Sequence, residues 1–287
     1  MSEGKAMHAG TAGTIHVGSD LTVNRLGFGA MRITGDGIWG QPADVGEAKA
    51  VLRRAIELEV DFIDTADSYG PHVSEELIGE TLYPYPEDLV IATKGGLERT
   101  GPGQWPVNGR PEHLIKACEG SLRRLKLEQI PLYQFHRPDP AVPLEDSIGA
   151  LVTLKEQGKI RHIGLSNVTV NQVRRAQRLT PIVSIQNRYN VDDRRSESVV
   201  EFCEQEQMVF LPWAPMQDLH SNRSVQQLAQ RYGVTPRQVV LAWLLARSSS
   251  ILPIPGTGSV SHLEDNIAAA AIKLTTAEVA GVTEGAA

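Results

Sequence analysis

The chain has 287 residues, 41% hydrophobic and 22% charged, a composition able to bury a large core and unlike that of a disordered chain. A formal net charge of −6 and an isoelectric point near 5.8 leave no positive field for a phosphate backbone or an anionic membrane, so neither nucleic acid nor membrane is expected as a partner. The two cysteines, Cys118 and Cys203, lie far apart with no CxxC or Cys/His spacing, which argues against a disulfide framework or a metal site and for a reducing, cytoplasmic setting.

In chain order, residues 1–13 have no apolar core of the kind a signal peptide needs and read as a flexible tail. Residues 14–17 and 21–24 flank Gly18-Ser19-Asp20 and predict a hairpin. After it, short runs rich in Val, Ile and Phe alternate with longer stretches of helical period. Strands are expected over 25–31, 60–66, 89–94, 132–136, 160–165, 182–186, 208–212 and 250–254. Helices are expected over 46–58, 74–82, 110–125, 144–157, 169–178, 196–207, 224–232 and 261–270, with a last one at 275–282. Ser74 reads as a helix cap with Glu75 and Glu76 at the positive end, and Pro111 as a first-turn proline. The longest apolar run, 239–246, falls far short of the ~20 residues that cross a bilayer.

Strands that are apolar nearly throughout, each followed by a helix, predict an α/β fold: a closed (β/α)8 TIM barrel over 14–287, with the hairpin plugging its N-terminal end. An open doubly wound sheet would carry a GxGxxG turn after its first strand, and Gly27-Phe28-Gly29-Ala30-Met31-Arg32 lacks that spacing. Barrel active sites form at the C-terminal ends of the strands. Collected there are Asp64, Lys94, His136, Ser166 with Asn167, and Gln186 with Asn187, while Tyr69 follows Asp64 in the next loop.

Alone, a strand-end lysine is usually solvated and a single histidine usually structural. The cluster points instead to proton delivery to a carbonyl: Asp64 would keep Lys94 charged, Lys94 would lower the phenol of Tyr69 from ~10, and His136 would orient the carbonyl oxygen. Such a set offers no electron pair, so a hydride must come from a cofactor.

The segment Asp61-Phe62-Ile63-Asp64-Thr65-Ala66-Asp67-Ser68-Tyr69-Gly70, then Thr93-Lys94, Phe135-His136, Gly164-Leu165-Ser166-Asn167 and Ile185-Gln186-Asn187, resembles the aldo-keto reductase superfamily in order and spacing. The resemblance runs from about Leu26 to Asn266 and implies a catalytic tetrad of Asp64, Tyr69, Lys94 and His136, with no metal. It implies NADPH/NADP+ as cofactor, NADH being the alternative, with Ser166, Asn167 and Gln186 on the carboxamide and Trp213 under the nicotinamide ring, beside Ala214 and Pro215. Gly29, Ala30 and Met31 would flank the cofactor, Asp218 and Leu219 its pyrophosphate, and Gly256, Thr257, Gly258, Ser259, His262, Asp265 and Asn266 its adenosine end.

Many members carry a Lys and an Arg where this chain has Gly256 and His262, which implies a weakened preference for the 2'-phosphate. Trp39, Trp105, Arg137 and Met216 would wall the pocket for a small-molecule carbonyl substrate, left open because the chain ends soon after its last helix. The sequence looks closest to bacterial members that reduce small or aromatic aldehydes, among them pyridoxal-type reductases, acting as a monomer or weak homo-oligomer. Two other readings compete: an aldolase with a Schiff base on Lys94, and a non-catalytic NADPH-binding redox sensor.

Overall fold

Residues 8–216 and 222–285 are described by the computed structural model of the protein. Strands β1 (Thr14–Val17) and β2 (Leu21–Asn24) pair antiparallel as the expected hairpin. Strands β3 (Phe28–Gly29), β4 (Phe62–Asp64), β5 (Val90–Gly95), β6 (Ile130–Phe135), β7 (Ile160–Ser166), β8 (Ser184–Arg188) and β9 (Val209–Trp213) pair in chain order as one parallel sheet. The helices are α1 (Val45–Glu57), α2 (Val73–Leu82), α3 (Pro111–Leu125), α4 (Leu144–Glu156), α5 (Val170–Gln177), α6 (Glu197–Gln205), α7 (Arg223–Tyr232), α8 (Pro236–Arg247), α9 (Val260–Ala268) and α10 (Thr276–Glu284). Among the described residues, no helix is long and apolar enough to cross a membrane.

The eighth stave closes the barrel without being a regular strand. On one side Phe210 donates to the Ser250 carbonyl (2.8 Å) and Leu252 donates to Phe210 (2.9 Å); on the other, Gly27 and Gly29 donate to Pro253 (2.9 Å) and Pro255 (3.3 Å). The two prolines have no N–H to return, so that ladder runs one way only. The result is the predicted (β/α)8 barrel. Its interior is filled by Phe62, Ala92, Leu132, Val209, Leu211 and Leu252, and Val17 and Val23 of the hairpin join the same cluster, sealing the bottom. Asp20 in the hairpin turn pairs with Arg161 and with His162 (2.6 Å), and the Asp61 carboxylate accepts from the Asn24 N–H (2.9 Å), so the plug is tied at both ends.

Two local expectations are corrected. Residues 9–12, expected as part of a flexible tail, form a helical turn against the body, with Ala9 fully buried and its N–H donating to Leu58 (2.8 Å); residues 1–7 of that expected tail lie outside the described residues. Ser74 is no cap, since it lies inside α2 with its hydroxyl bonded to Thr65 (2.8 Å) and to the Ala30 carbonyl (3.1 Å). Glu75 and Glu76 do stand in the first turn of α2 as expected, and Glu75 is fully buried there, accepting from the Thr93 hydroxyl (2.5 Å) and from Arg124 (2.7 Å), the partners that make burying a carboxylate tolerable.

Helix α8 was not anticipated at all. It opens on a capping box, Thr235 with Gln238, and a first-turn proline, Pro236. The signal was masked because α8 is buried from Gln238 to Leu244, so it is apolar on all sides and shows no 3.6-residue alternation.

Candidate active site

The four tetrad members reach the site from the ends of three staves, Asp64 and Tyr69 from the same one. Asp64 ends β4, Lys94 is the penultimate residue of β5, and His136 follows β6. Lys94 is fully buried, and its ammonium donates to Asp64 Oδ2 (2.6 Å), to the Thr65 carbonyl (2.8 Å) and to the Tyr69 hydroxyl (3.3 Å). Asp64 Oδ1 accepts from Gln134 Nε2 (3.0 Å) and Gln186 Nε2 (2.8 Å), so both carboxylate oxygens are engaged. The Tyr69 and His136 rings meet edge to face with centroids 6.0 Å apart.

The charge states follow from these contacts. Burial acts to lower Lys94, but Asp64 and Tyr69 outweigh it and raise the amine above its ordinary value. Burial drives His136 well below the usual histidine range, helped by the cations Lys94 and Arg137, so the ring is neutral. The Tyr69 phenol departs from the sequence-based expectation. Burial pushes it above 10.0, and the opposing pull of Lys94 does not win, in part because Asp64 neutralises that ammonium. A neutral phenol, a neutral imidazole and an ammonium–carboxylate pair therefore face the same space.

That space is a cavity of about 640 Å³ running from Tyr69, His136 and Trp105 past Trp213 to Gly256, Gly258 and His262. Asn167 holds its middle: it sits in the left-handed region at φ 59, which asparagine tolerates, donating to the His136 carbonyl (3.0 Å) and accepting from Trp213 Nε1 (3.1 Å). The indole of Trp213 is thereby fixed as a wall. At the far end the first-strand turn and the last stave pack backbone to backbone, for a Cβ on Gly256 would stand 2.6 Å from the Gly29 carbonyl oxygen.

The model of the Aldo/keto reductase family matches residues 25–219 and 216–286. The chain belongs to the aldo/keto reductase family. It is 47% identical to an uncharacterized oxidoreductase of Schizosaccharomyces pombe over 282 residues, which covers 97% of this chain and 92% of that protein. It is 41% identical to pyridoxine 4-dehydrogenase of Escherichia coli over 262 residues, 88% and 92% of the two chains. Among solved structures, the thermostable aldo-keto reductase Tm1743 in complex with epalrestat superposes with a TM-score of 0.84 at 31% identity, covering 95% of this chain and 99% of that one. An aldo-keto reductase from Klebsiella pneumoniae in complex with NADPH superposes with a TM-score of 0.79 at 25% identity, covering 94% of each chain.

Against this family background the anticipated residues divide. Gly29, Met31, Asp64, Tyr69, Trp105, His136, Arg137, Ser166, Asn167, Gln186, Trp213, Ala214, Pro215, Met216, Gly256, Thr257, Gly258 and His262 line the cavity, and Lys94 lies against it through Tyr69 and Asp64. Ala30, Trp39, Ser259, Asp265 and Asn266 do not line it, and Asp218 and Leu219 lie outside the described residues. Ser259 bonds instead to Ser261 (3.0 Å), and the first N–H of α9, on Val260, is taken by the Glu47 carboxylate (2.9 Å).

Three contributors escaped the sequence. Gln134 lies on β6 between Leu132 and His136, so a strict two-residue alternation along that strand would have found it. Arg32 and Arg237 also line the cavity, Arg32 beside Gly256 and Arg237 next to Gln238, which donates to the Asp265 carbonyl of α9 (2.9 Å), and neither guanidinium has a hydrogen bond or ion pair with any described residue. Arg237 went unnoticed because it belongs to the unanticipated α8.

Proposed function

We propose that this aldo/keto reductase reduces aldehydes or ketones to alcohols with NADPH, Tyr69 giving the proton. The observation that carries this reading is the buried ammonium of Lys94 bridging Asp64 (2.6 Å) and the Tyr69 hydroxyl (3.3 Å) at a cavity also lined by His136. Bound NADPH supplies the hydride that no side chain here can give. The residues fit such a group: the cavity is long, walled by Trp213, polar at Ser166, Asn167 and Gln186, and cationic at Arg32 and Arg237. Those two guanidiniums would hold the 2'-phosphate that Gly256 and His262 cannot hold alone.

The chain's own part is proton and charge management. Neutral His136 donates an N–H to the carbonyl oxygen and orients it. As that oxygen gains electrons it becomes more basic than any phenolate, so Tyr69 hands over its proton even though burial makes it a weak acid. The phenolate left behind is stabilised at once by Lys94, 3.3 Å away. Pyridoxal belongs among the first carbonyls to try, given the 41% identity to pyridoxine 4-dehydrogenase.

A Schiff base on Lys94 is disfavoured because Asp64 keeps the amine charged. The decisive experiment follows NADPH oxidation with pyridoxal or a nitrobenzaldehyde. Tyr69→Phe is expected to lower kcat by roughly 10²- to 10⁴-fold while leaving the NADPH dissociation constant nearly unchanged. Turnover close to wild type in that variant would remove Tyr69 from the donor role.

A further inference from the structure

Three loops meet beside Tyr69, and one side chain ties them together. Arg99, in the loop after β5, donates through Nη1 to the carbonyls of Ile38 (2.7 Å) and Ser68 (2.8 Å), through Nη2 to Gly37 (3.1 Å) and through Nε to Gln104 (3.0 Å). Its guanidinium carbon lies 3.6 Å from the Trp105 ring centroid and 5.5 Å from that of Trp39. No carboxylate is among its partners in the described residues, so its charge and directed donors are spent on backbone carbonyls and indole faces.

Both flanks of the phenol are thereby set. Ser68, whose carbonyl Arg99 grips, is the residue before Tyr69, and Trp105 meets the Tyr69 ring edge on at 6.4 Å and 85°. The first loop is fastened to the same place, because Trp39 bridges to Gly70 and the Gly40 N–H donates to the Gly70 carbonyl (2.6 Å). Trp39, which does not line the cavity, thus acts as part of the clamp.

Building on the reductase reading, we infer that Arg99 is a positioning residue that holds Tyr69 and Trp105 in register with Lys94 and His136. The planar fork of a guanidinium reaches carbonyls on three loops at once and stacks on an indole, whereas a lysine ammonium offers a point charge on a flexible stem. Displacing a reacting group by about 1 Å costs on the order of 10²-fold in rate. The end of the cavity at Gly256 and His262 is built from other elements, so loss of Arg99 separates carbonyl turnover from cofactor binding.

The test compares wild type, Arg99→Lys and Arg99→Met by NADPH fluorescence titration, by steady-state reduction of a nitrobenzaldehyde, and by hydrogen exchange of residues 66–70 and 97–107. Expected are a loss of roughly 10- to 100-fold in kcat/KM in both variants, no rescue by lysine, faster exchange in both segments, and an NADPH dissociation constant within about 2-fold of wild type. Arg99→Lys retains the charge and most of the stem, so it decides the matter if Arg99→Met does not fold. The positioning role is overturned if Arg99→Lys keeps wild-type kcat/KM, if exchange in both segments is unchanged, or if NADPH binding falls in step with turnover. Wild-type protein that binds NADPH yet reduces no carbonyl counts against the reductase reading instead, and the exchange measurement still decides the role of Arg99.

Discussion

Lys94, Tyr69 and His136 share one buried corner, and which of them carries charge decides how the proposed activity responds to pH. The general acid must be protonated, and Tyr69 is raised above 10.0 chiefly by burial, so raising the pH through neutrality removes nothing from it. His136 must stay neutral, and burial together with Lys94 and Arg137 holds it well below 6.5, so lowering the pH toward 6.5 does not charge it. The reductive kcat at saturating substrates is therefore expected to vary by less than about 2-fold between roughly pH 6.5 and 9. A tenfold change with a midpoint near 7 in stopped-flow hydride transfer would mean that His136 titrates, contrary to this assignment. Asp64, Lys94 and His136 were legible in the sequence because each interrupts an apolar run at a strand end. The direction of the Tyr69 shift was not, because it depends on how completely the loops cover the phenol, a tertiary quantity. Gln134 is less legible because it lies within β6 and not at its end, on the inward face it shares with Leu132.

At the scale of elements, the sequence exposed short apolar strands and amphipathic helices and concealed a helix buried on nearly every side. The parallel strands stood out as short β-branched runs, and α1, α3 and α5 as amphipathic stretches. Helix α8 is buried over Gln238–Leu244 because α7, α9, α10 and the turn at Ala269–Ala271 pack around it, and its apolar run carried no period to read. Its Trp243 is fully buried, stacks on Tyr189 with centroids 5.8 Å apart and an interplanar angle of 18°, and donates Nε1–H to the Thr283 hydroxyl (3.0 Å). Trp243→Ala empties that space, while the Thr283 hydroxyl keeps its bond to the Val279 carbonyl (2.7 Å), so the cavity alone is expected to destabilise the protein by roughly 3–5 kcal/mol in urea unfolding. A loss below about 1 kcal/mol would mean that α8 repacks freely and is not the keystone its burial suggests.

At the scale of the whole molecule, the net charge of −6 conceals a local exception. Arg32 comes from the turn after β3 and Arg237 from α8, and they line the same cavity, far from one another in sequence. Composition averages such a pair away, and motif reading directed attention to position 256, where no side chain fits beside Gly29. The Cγ of Arg32 passes 3.7 Å from the point where a Gly256 Cβ would stand, so a guanidinium from the first turn covers ground a residue at 256 would otherwise serve. If Arg32 and Arg237 read the 2'-phosphate, the native state gains more from NADPH than from NADH at equal concentration, since a ligand stabilises by about 2.7 kcal/mol at 100 times its dissociation constant and negligibly well below it. Thermal unfolding with each dinucleotide is therefore expected to show a larger rise in Tm with NADPH, by several degrees. Arg32→Ala and Arg237→Ala should shrink that difference while leaving the smaller NADH effect as it is, because NADH lacks the group these cations would contact. Equal shifts from both dinucleotides in the wild type, or a difference that survives both substitutions, would show that these cations do not select the cofactor.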